Sequence, residues 1–352
     1  MKKIALPISD LSMGSFLNFI VSVFLIIPSI STAEIKTDND IGYLFDKMSR
    51  AFRELSYDGH FVYVGGDTVQ SLRILHTVKN GEEYERLSQL NGAALEVIRK
   101  GHKVLCLHHG DHLMRQDHAH SHSTEPFSRQ FNEVHSRMDQ IYRFFRSGSD
   151  RVAGREAIRV SVEPLDTYRY GYDLWLDKIS GLLLKSIMYN QNRKALETFE
   201  FIQLAIVDSL PEEMFVPDET THIYSEHYSL NLSKTDAKSN KTHEWSADWT
   251  PPGFYMTVLD IKKFPQSKEP VNTLMYSDGL AAYSIFIEKS NGSNKQSKHS
   301  NFDKTKLRQF GGTIAYSHQV DAPDHLYTVT VLGELPAESL KRVAESVKKN
   351  HK

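Results

Sequence analysis

Apolar and polar side chains alternate along residues 168–177, and this alternation is the clearest structural signal in the chain. A period of two is typical of a half-buried β-strand. A turn at 177–181 and a polar segment at 190–193 each reverse the chain, so residues 168–206 predict three consecutive antiparallel strands. A meander of this length needs a second layer over its apolar face. The apolar face of the first strand carries Tyr168, Tyr170, Tyr172, Leu174 and Leu176.

A second series of short alternating runs precedes this meander. The dipeptides Asn80-Gly81 and Asn91-Gly92 separate successive runs, and Asn-Gly at such a place is a strong hairpin signal. Together with residues 151–206, the runs predict one up-and-down antiparallel sheet of about eight to eleven strands. The runs are residues 60–64, 71–78, 82–90, 94–99 and 103–108.

Two segments have helical rather than strand spacing. Apolar residues recur three and four positions apart in residues 40–55 and again in residues 134–145. Each segment predicts an amphipathic helix lying on the sheet. The N-terminal half is therefore expected to be an open antiparallel β-barrel with helices over a cleft, an arrangement that suits apolar ligands.

The composition changes after residue 216. Residues 217–245 are polar with little to bury, which predicts an interdomain linker. Residues 246–352 then predict a smaller α+β domain that ends in a helix beginning near Pro336. The domain prediction is thus residues 1–33 as a signal peptide, 34–216 as the cleft domain, 217–245 as the linker and 246–352 as the C-terminal domain. The predicted strands of the last domain are residues 255–262, 273–277, 281–288, 313–320 and 326–332.

The first 33 residues have the features of an export signal. Lys2 and Lys3 precede an apolar run at residues 16–30, and Ser31-Thr-Ala33 fits the small-x-small cleavage rule. The mature protein is expected to be exported and soluble from about residue 34. The alternative is that the apolar run is an uncleaved membrane anchor, although it is short for a span and contains Asn18 and Pro28.

Charge and cysteine content narrow the classes of function. The formal net charge is −2, so no large basic surface favours nucleic-acid binding. Cys106 is the only cysteine, which excludes an intramolecular disulfide framework. Its place in an apolar run favours a buried strand residue over a catalytic thiol.

Histidines are concentrated between residues 102 and 122. His118, His120 and His122 alternate, so an extended backbone would place the three imidazoles on one side, where they could bind zinc, copper or nickel. A solvated loop of biased composition explains the same pattern. No cysteine or Glu-x-x-His pattern completes a site of known geometry, so these histidines are a weak metal candidate and no cofactor is predicted.

Catalytic motifs are absent from the sequence. It contains no Gly-x-Ser-x-Gly elbow, no His-Glu-x-x-His and no phosphate-binding glycine loop, so an enzyme is not predicted. Asp173 and Asp177 could be paired carboxylates, but closing a strand turn is their more ordinary use. Arg169, among tyrosines, could bind an anion or make a structural contact.

The apolar face that includes Tyr170, Tyr172, Leu174 and Leu184 has two interpretations. It is either ordinary core beneath a helix or the wall of a lipid-sized cleft. Periodicity does not distinguish them, because an apolar face has the same pattern in both cases. These four residues are the ligand-binding candidates.

Motifs in both halves of the chain point to one family. They include Arg151-Val-Ala-Gly-Arg155, Tyr168-Arg-Tyr-Gly-Tyr-Asp-Leu-Trp-Leu-Asp177, Pro252-Gly-Phe254 and Val329-Thr-Val-Leu-Gly-Glu-Leu-Pro336. With these motifs in order over nearly the whole mature chain, the sequence resembles the sigma-E factor regulatory proteins of the RseB/MucB family. The histidine-rich segment and a polar insertion at residues 290–305 depart from the family pattern.

The resemblance implies a periplasmic regulator without enzymatic activity. Its N-terminal domain would be similar to the lipoprotein carrier LolA. The C-terminal domain and interdomain region would bind the periplasmic part of a membrane anti-sigma factor and shield it from the site-1 protease. Lipid or lipopolysaccharide fragments would weaken that complex. The resemblance also implies self-association. Face patterns suggest Tyr283 and Phe286 for the partner surface. The alternative function is a periplasmic carrier of lipids or lipoproteins that has no anti-sigma partner.

Overall fold

The structure is a computed structural model, and the segments that it describes make two lobes. We call the described residues between 38 and 228 the N-terminal lobe and those between 244 and 350 the C-terminal lobe. No helix in the described part of the chain is both long and apolar enough to cross a membrane. The described residues are 38–92, 95–101, 103–108, 138–217, 222–228, 244–262, 271–290 and 306–350.

The N-terminal lobe is built on one antiparallel sheet of 11 strands. Their order is β11-β5-β4-β3-β2-β1-β10-β9-β8-β7-β6, so among the described strands β11 and β6 form two separate edges and the sheet is open. The strands are β1 (Ser56–Gly65), β2 (Thr68–Lys79), β3 (Glu82–Gln89), β4 (Leu95–Lys100), β5 (Lys103–His108), β6 (Tyr142–Val152), β7 (Arg155–Pro164), β8 (Gly171–Asp177), β9 (Leu183–Tyr189), β10 (Ala195–Val207) and β11 (His222–Tyr228).

Helix α1 (Asp38–Glu54) belongs to the second layer that the sheet requires. The helix predicted for residues 40–55 is therefore confirmed. Its apolar stripe is buried in the same core as the inward side chains of β7, β8 and β9. Phe45, for example, is 2% exposed and meets the ring of Phe144 with centroids 5.2 Å apart.

The helix predicted for residues 134–145 is wrong in its described part. Met138–Gln140 form one 3-10 turn, and β6 begins at Tyr142. Pairing along the full length of β7 satisfies the backbone of this segment and overrides its helical spacing. Tyr142 is accordingly buried while Phe145 is 38% exposed, which is a strand pattern.

The C-terminal lobe contains a six-stranded antiparallel sheet in the order β13-β14-β15-β18-β17-β16. Helix α2 (Ala337–Glu345) buries Leu340, Val343 and Ala344 in the core of this lobe, as predicted for the final helix. A two-stranded sheet pairs β12 with β19. The strands are β12 (Trp245–Ala247), β13 (Tyr255–Lys262), β14 (Val271–Ser277), β15 (Ala282–Lys289), β16 (Lys306–Phe310), β17 (Thr313–Asp321), β18 (Leu326–Gly333) and β19 (Val347–Lys349).

The predicted fold class is confirmed, namely an open antiparallel sheet followed by a smaller C-terminal unit with its own sheet. One difference concerns residues 217–245, where β11 pairs with β5 and extends the large sheet. The sequence of this segment had suggested only a polar linker. The exact domain boundaries stay a prediction.

Candidate functional site

Arg169 lies at the centre of the junction between the lobes. Its side chain is 0% exposed, and its Nη1 donates a hydrogen bond of 2.6 Å to Asp278 of the C-terminal lobe. Nη2 donates to the carbonyl oxygen of Pro252 at 2.5 Å. Within the N-terminal lobe, Asp166 accepts from Nε and Nη2 at 3.1 and 2.9 Å. The guanidinium of Arg169 therefore connects the loop before β8 to two segments of the other lobe.

Asp278, which accepts this hydrogen bond, lies in a turn that its own side chain stabilises. The turn connects β14 to β15. The Oδ1 atom of Asp278 accepts hydrogen bonds from the backbone N–H groups of Leu280 and Ala281 at 2.9 and 2.8 Å. The Tyr142 hydroxyl donates to Oδ2 at 3.0 Å. Burial raises the pKa of Asp278 above its usual value, against the opposing effects of Arg169 and of these donors.

Aromatic rings enclose the ion pair. The Arg169 guanidinium lies 5.3 Å from the ring centroid of Tyr142 and 5.4 Å from that of Phe254. These distances are typical of cation–π contacts. The two rings cover the ion pair, whose side chains are both 0% exposed. Arg169 thus makes a structural contact, one of the two uses that the sequence allowed, and the contact runs between lobes.

A second contact joins the lobes at the turn between β16 and β17. The carboxylate of Glu197 on β10 accepts the backbone N–H of Gly312 at 2.8 Å. An added Cβ at position 312 would collide with the sulfur of Met188, so glycine allows this close approach without a shift of that side chain. Between the two contacts, the Tyr170 hydroxyl donates to the carbonyl of Leu335 at 3.1 Å.

Glu334 is a further carboxyl group near this second contact, in the electrostatic field of Glu197. Its backbone N–H donates to the carbonyl of Ala282 at 3.2 Å, which fixes it at the end of β18. Burial, together with the nearby charges of Glu197 and Asp278, raises the pKa of Glu334 to about 8. The same environment, chiefly burial, raises the pKa of Tyr63 on β1.

The four predicted cleft residues meet in the main core cluster of the N-terminal lobe. Tyr170 is 5% exposed, Tyr172 8%, Leu174 1% and Leu184 0%. They share that cluster with the apolar stripe of α1. The Tyr172 hydroxyl is buried and has no hydrogen-bond partner among the described atoms. Their use as the wall of a ligand cleft stays a prediction.

The two partner-surface candidates lie on β15. Tyr283 is 1% exposed and stacks on Tyr276, with centroids 5.0 Å apart, in the core of the C-terminal lobe. Phe286 is half-buried and lies on the opposite face of the strand. Their role in partner binding stays a prediction. The metal candidates His118, His120 and His122 lie outside the described residues.

The two aspartates of β8 are held on its other face. Arg159 donates to Asp173 at 2.8 Å, and Arg155 donates to Asp177 at 2.6 Å. Asp177 also accepts the backbone N–H of Ser180, so it closes the turn into β9. Its pKa lies below the usual range because these hydrogen bonds outweigh the effect of burial. Both carboxylates are therefore structural.

The main residues of the junction were not found from the sequence. None of these acidic residues was a site candidate, although Glu334 lies within the motif at residues 329–336. Asp278 and Glu197 are distinguished by their contacts between the lobes. Asp278 is 109 residues from Arg169. The one available signal was Arg169 itself, a charged residue inside a tyrosine-rich strand pattern.

Comparison with known families covers both lobes. Residues 40–219 match the family described as the MucB/RseB N-terminal domain. Residues 239–348 match the MucB/RseB C-terminal domain.

Curated relatives match along the whole chain. The sigma factor AlgU regulatory protein MucB of Pseudomonas aeruginosa is 31% identical over 328 residues, which cover 93% of this chain and 96% of the relative. The sigma-E factor regulatory protein RseB of Haemophilus influenzae is 28% identical over 348 residues, 99% of each chain.

A solved structure of a relative has a similar fold. MucB from the Pseudomonas aeruginosa MucA/MucB complex superimposes with a TM-score of 0.69 at 30% sequence identity. The match covers 89% of this chain and 100% of that one. Both lobes are therefore present in that relative.

Proposed function

The chain belongs to the MucB/RseB family, and from this premise we propose that it binds the periplasmic domain of a MucA- or RseA-like membrane anti-sigma factor and restrains a sigma-E-type stress response. The observation that carries the proposal is the likeness, over both lobes, to a MucB whose structure is a complex with MucA. A carrier of lipid alone would have little use for the C-terminal lobe, which this relative shares.

We propose that the protein acts in the periplasm. The predicted signal peptide would deliver it there. The absence of a membrane-spanning helix from the described residues is compatible with this location. An anti-sigma factor that crosses the inner membrane would present its binding segment on the same side.

We propose binding rather than catalysis as the biochemical activity. The paired aspartates of β8 are held by arginines, and the donors of Arg169 are directed to Asp166, Asp278 and Pro252. These side chains therefore serve the fold. The family relatives carry the names of regulatory proteins.

We propose that an apolar ligand controls the partner. The face that includes Tyr170, Tyr172, Leu174 and Leu184 is buried in the same core cluster as α1, and Tyr170 also reaches the other lobe through Leu335. A lipid chain that displaced α1 from this face would therefore disturb the junction. A ligand shifts an equilibrium only by its differential affinity for two states, and the hydrogen bond of Tyr170 to the other lobe supports such a difference.

The proposed consequence is protection of the anti-sigma factor from the site-1 protease. The test is digestion of its periplasmic segment by that protease, alone, with the mature chain, and with the mature chain plus lipopolysaccharide. We expect the chain to slow cleavage and the lipid to restore it. Cleavage at the same rate with and without a folded, bound chain would overturn the shielding role.

A further inference from the structure

The strand β6 forms one edge of the large sheet. It is 11 residues long, whereas β11 at the opposite edge has 7. Pairing with β7 runs along its whole length, so the backbone N–H and C=O groups that point away from β7 have no strand partner within the described sheet. Such an edge can accept an extended segment of another chain as an additional strand.

Most of this edge is exposed to solvent. All residues from Phe145 to Arg151 are exposed, on both faces of the strand. At its beginning, by contrast, Tyr142 is buried, and its hydroxyl group donates to Asp278 of the C-terminal lobe. The edge therefore starts at the junction between the lobes and is accessible beyond it. We call residues 143–151 of β6 the open edge.

The open edge carries cations that are not neutralised. Two carboxylates lie opposite it on β7, but each is close to another cation. Glu163 is 3.8 Å from Arg193, and Glu156 pairs with Lys178 at 2.8 Å. The exposed arginines of the open edge, which have no ion-pair partner in the described part of the chain, are Arg143, Arg146 and Arg151.

The neighbouring strand has arginines of the opposite kind. Arg155 and Arg159 of β7 each donate to an aspartate of β8, at 2.6 and 2.8 Å. The arginines of the open edge are therefore the ones available to a ligand. They also oppose pairing with a second copy of this chain, because the same edge of that copy carries the same charges. A segment that binds there must have the opposite charge.

A β-bulge sets the direction of two of these arginines. It lies between Arg146 and Gly148, and it places Arg146 and Arg151 opposite Val160 and Glu156 of β7. Those partners are four residues apart, so the two arginines lie on one face, about 13 Å apart along the strand. Side chains that share one face of an added strand could meet both guanidinium groups.

We propose that the open edge binds an extended acidic segment of the anti-sigma factor as an added strand. Backbone hydrogen bonds would hold the segment along β6, and its carboxylates would pair with Arg146 and Arg151. Phe145 is 38% exposed on the opposite face and offers an apolar contact. This inference rests on the proposed function and adds to it a binding surface on the N-terminal lobe.

Charge reversal tests the arginines. The affinity of residues 34–352 for the periplasmic segment of the cognate anti-sigma factor is measured by calorimetry, for the parent and for Arg146→Glu/Arg151→Glu. We expect the double variant to bind about tenfold more weakly, because two ion pairs are replaced by like-charge contacts. Both positions are exposed, so the fold should be unaffected.

The matched control is Arg50→Glu/Arg308→Glu. It changes the total charge by the same amount at two other exposed arginines, one on α1 and one on the edge strand β16 of the smaller sheet. Its affinity should stay within about twofold of the parent, since distant exposed charges are screened by salt.

Hydrogen exchange of the parent chain, free and bound to the same segment, tests strand addition separately from charge. Alternate residues of an edge strand direct their N–H groups away from the sheet, so about half of the amides at residues 143–151 should exchange more slowly in the complex. The amides of β16, at an edge of the other sheet, should exchange at the same rate in both samples.

The outcomes separate this inference from the proposed function. A parent that binds the segment, together with an Arg146→Glu/Arg151→Glu protein that binds it equally well, would overturn the docking edge and leave the proposed function standing. So would a complex in which the amides of the open edge gain no protection. A folded parent that binds no anti-sigma segment would contradict the proposed function and, with it, this edge.

Discussion

At the scale of single residues, the Arg169–Asp278 pair is a fully buried ion pair between the lobes. Both side chains are 0% exposed. Removing one partner of a buried pair costs about 3–5 kcal/mol, and because Asp166 would still pair with Arg169, the lower end of that range applies here. We therefore expect Asp278→Asn to lower the free energy of unfolding by about that amount in urea denaturation.

The control is an arginine–aspartate ion pair that is more exposed to solvent. Arg73 and Asp58 are 2.7 Å apart with side chains 37% and 27% exposed, so Asp58→Asn should cost about 1 kcal/mol or less. Adding Arg169→Met to Asp278→Asn should cost less than the sum of the two single changes, because the stranded charge is then gone. Equal losses for Asp278→Asn and Asp58→Asn would show that the buried pair has no special weight.

The sequence predicted only half of this contact. Arg169 was a candidate because its charge interrupts a run of tyrosines, and a structural contact was one of its two interpretations. Asp278 is followed by Gly279, and Asp-Gly is turn chemistry of local origin that carries no sign of a distant partner. Their meeting depends on the docking of two lobes, and no local pattern contains that information.

At the scale of elements, α1 is a helix whose position and buried face apolar periodicity alone predicted. Phe45 is 2% exposed, and Tyr43, two residues earlier on the same helix, is 55% exposed. We expect Phe45→Ala to cost about 3–5 kcal/mol, because it removes a ring from the core and leaves a cavity. Thermal or urea unfolding of the mature chain measures this loss.

Tyr43→Ala is the matched control for Phe45→Ala. It changes a similar ring on the same helix outside the core, so its effect should stay within about 0.5 kcal/mol. Comparable losses for both variants would mean that α1 does not bury its predicted stripe against the sheet.

The strand β6 shows where periodicity fails. Residues 138, 141, 142 and 145 are apolar at helical spacing, yet the segment from Tyr142 is a strand. Helical spacing over so short a run is weak, and backbone pairing with β7 supplies hydrogen bonds that the pattern cannot report. The polar strand β11 escaped prediction for a similar reason, because pairing with β5 defines it.

At the scale of the whole molecule, the two lobes are joined by a polar junction and by apolar contact. Leu280 of the C-terminal lobe belongs to the core cluster of the N-terminal lobe. The sequence predicted the open sheet, the second unit and, through its motifs, the family. It did not predict the relation between lobes, which arises from residues far apart in the chain. That relation is what links an apolar ligand to a bound partner in our account.

The central claim is that this chain binds an anti-sigma factor, and calorimetry of residues 34–352 with the periplasmic segment of the cognate anti-sigma factor tests it most directly. The account predicts saturable binding without lipid, and weaker binding once lipopolysaccharide is added. Binding that lipid leaves unchanged would keep the partner and remove the sensor. A folded chain that gives no binding in the absence of lipid would contradict the account.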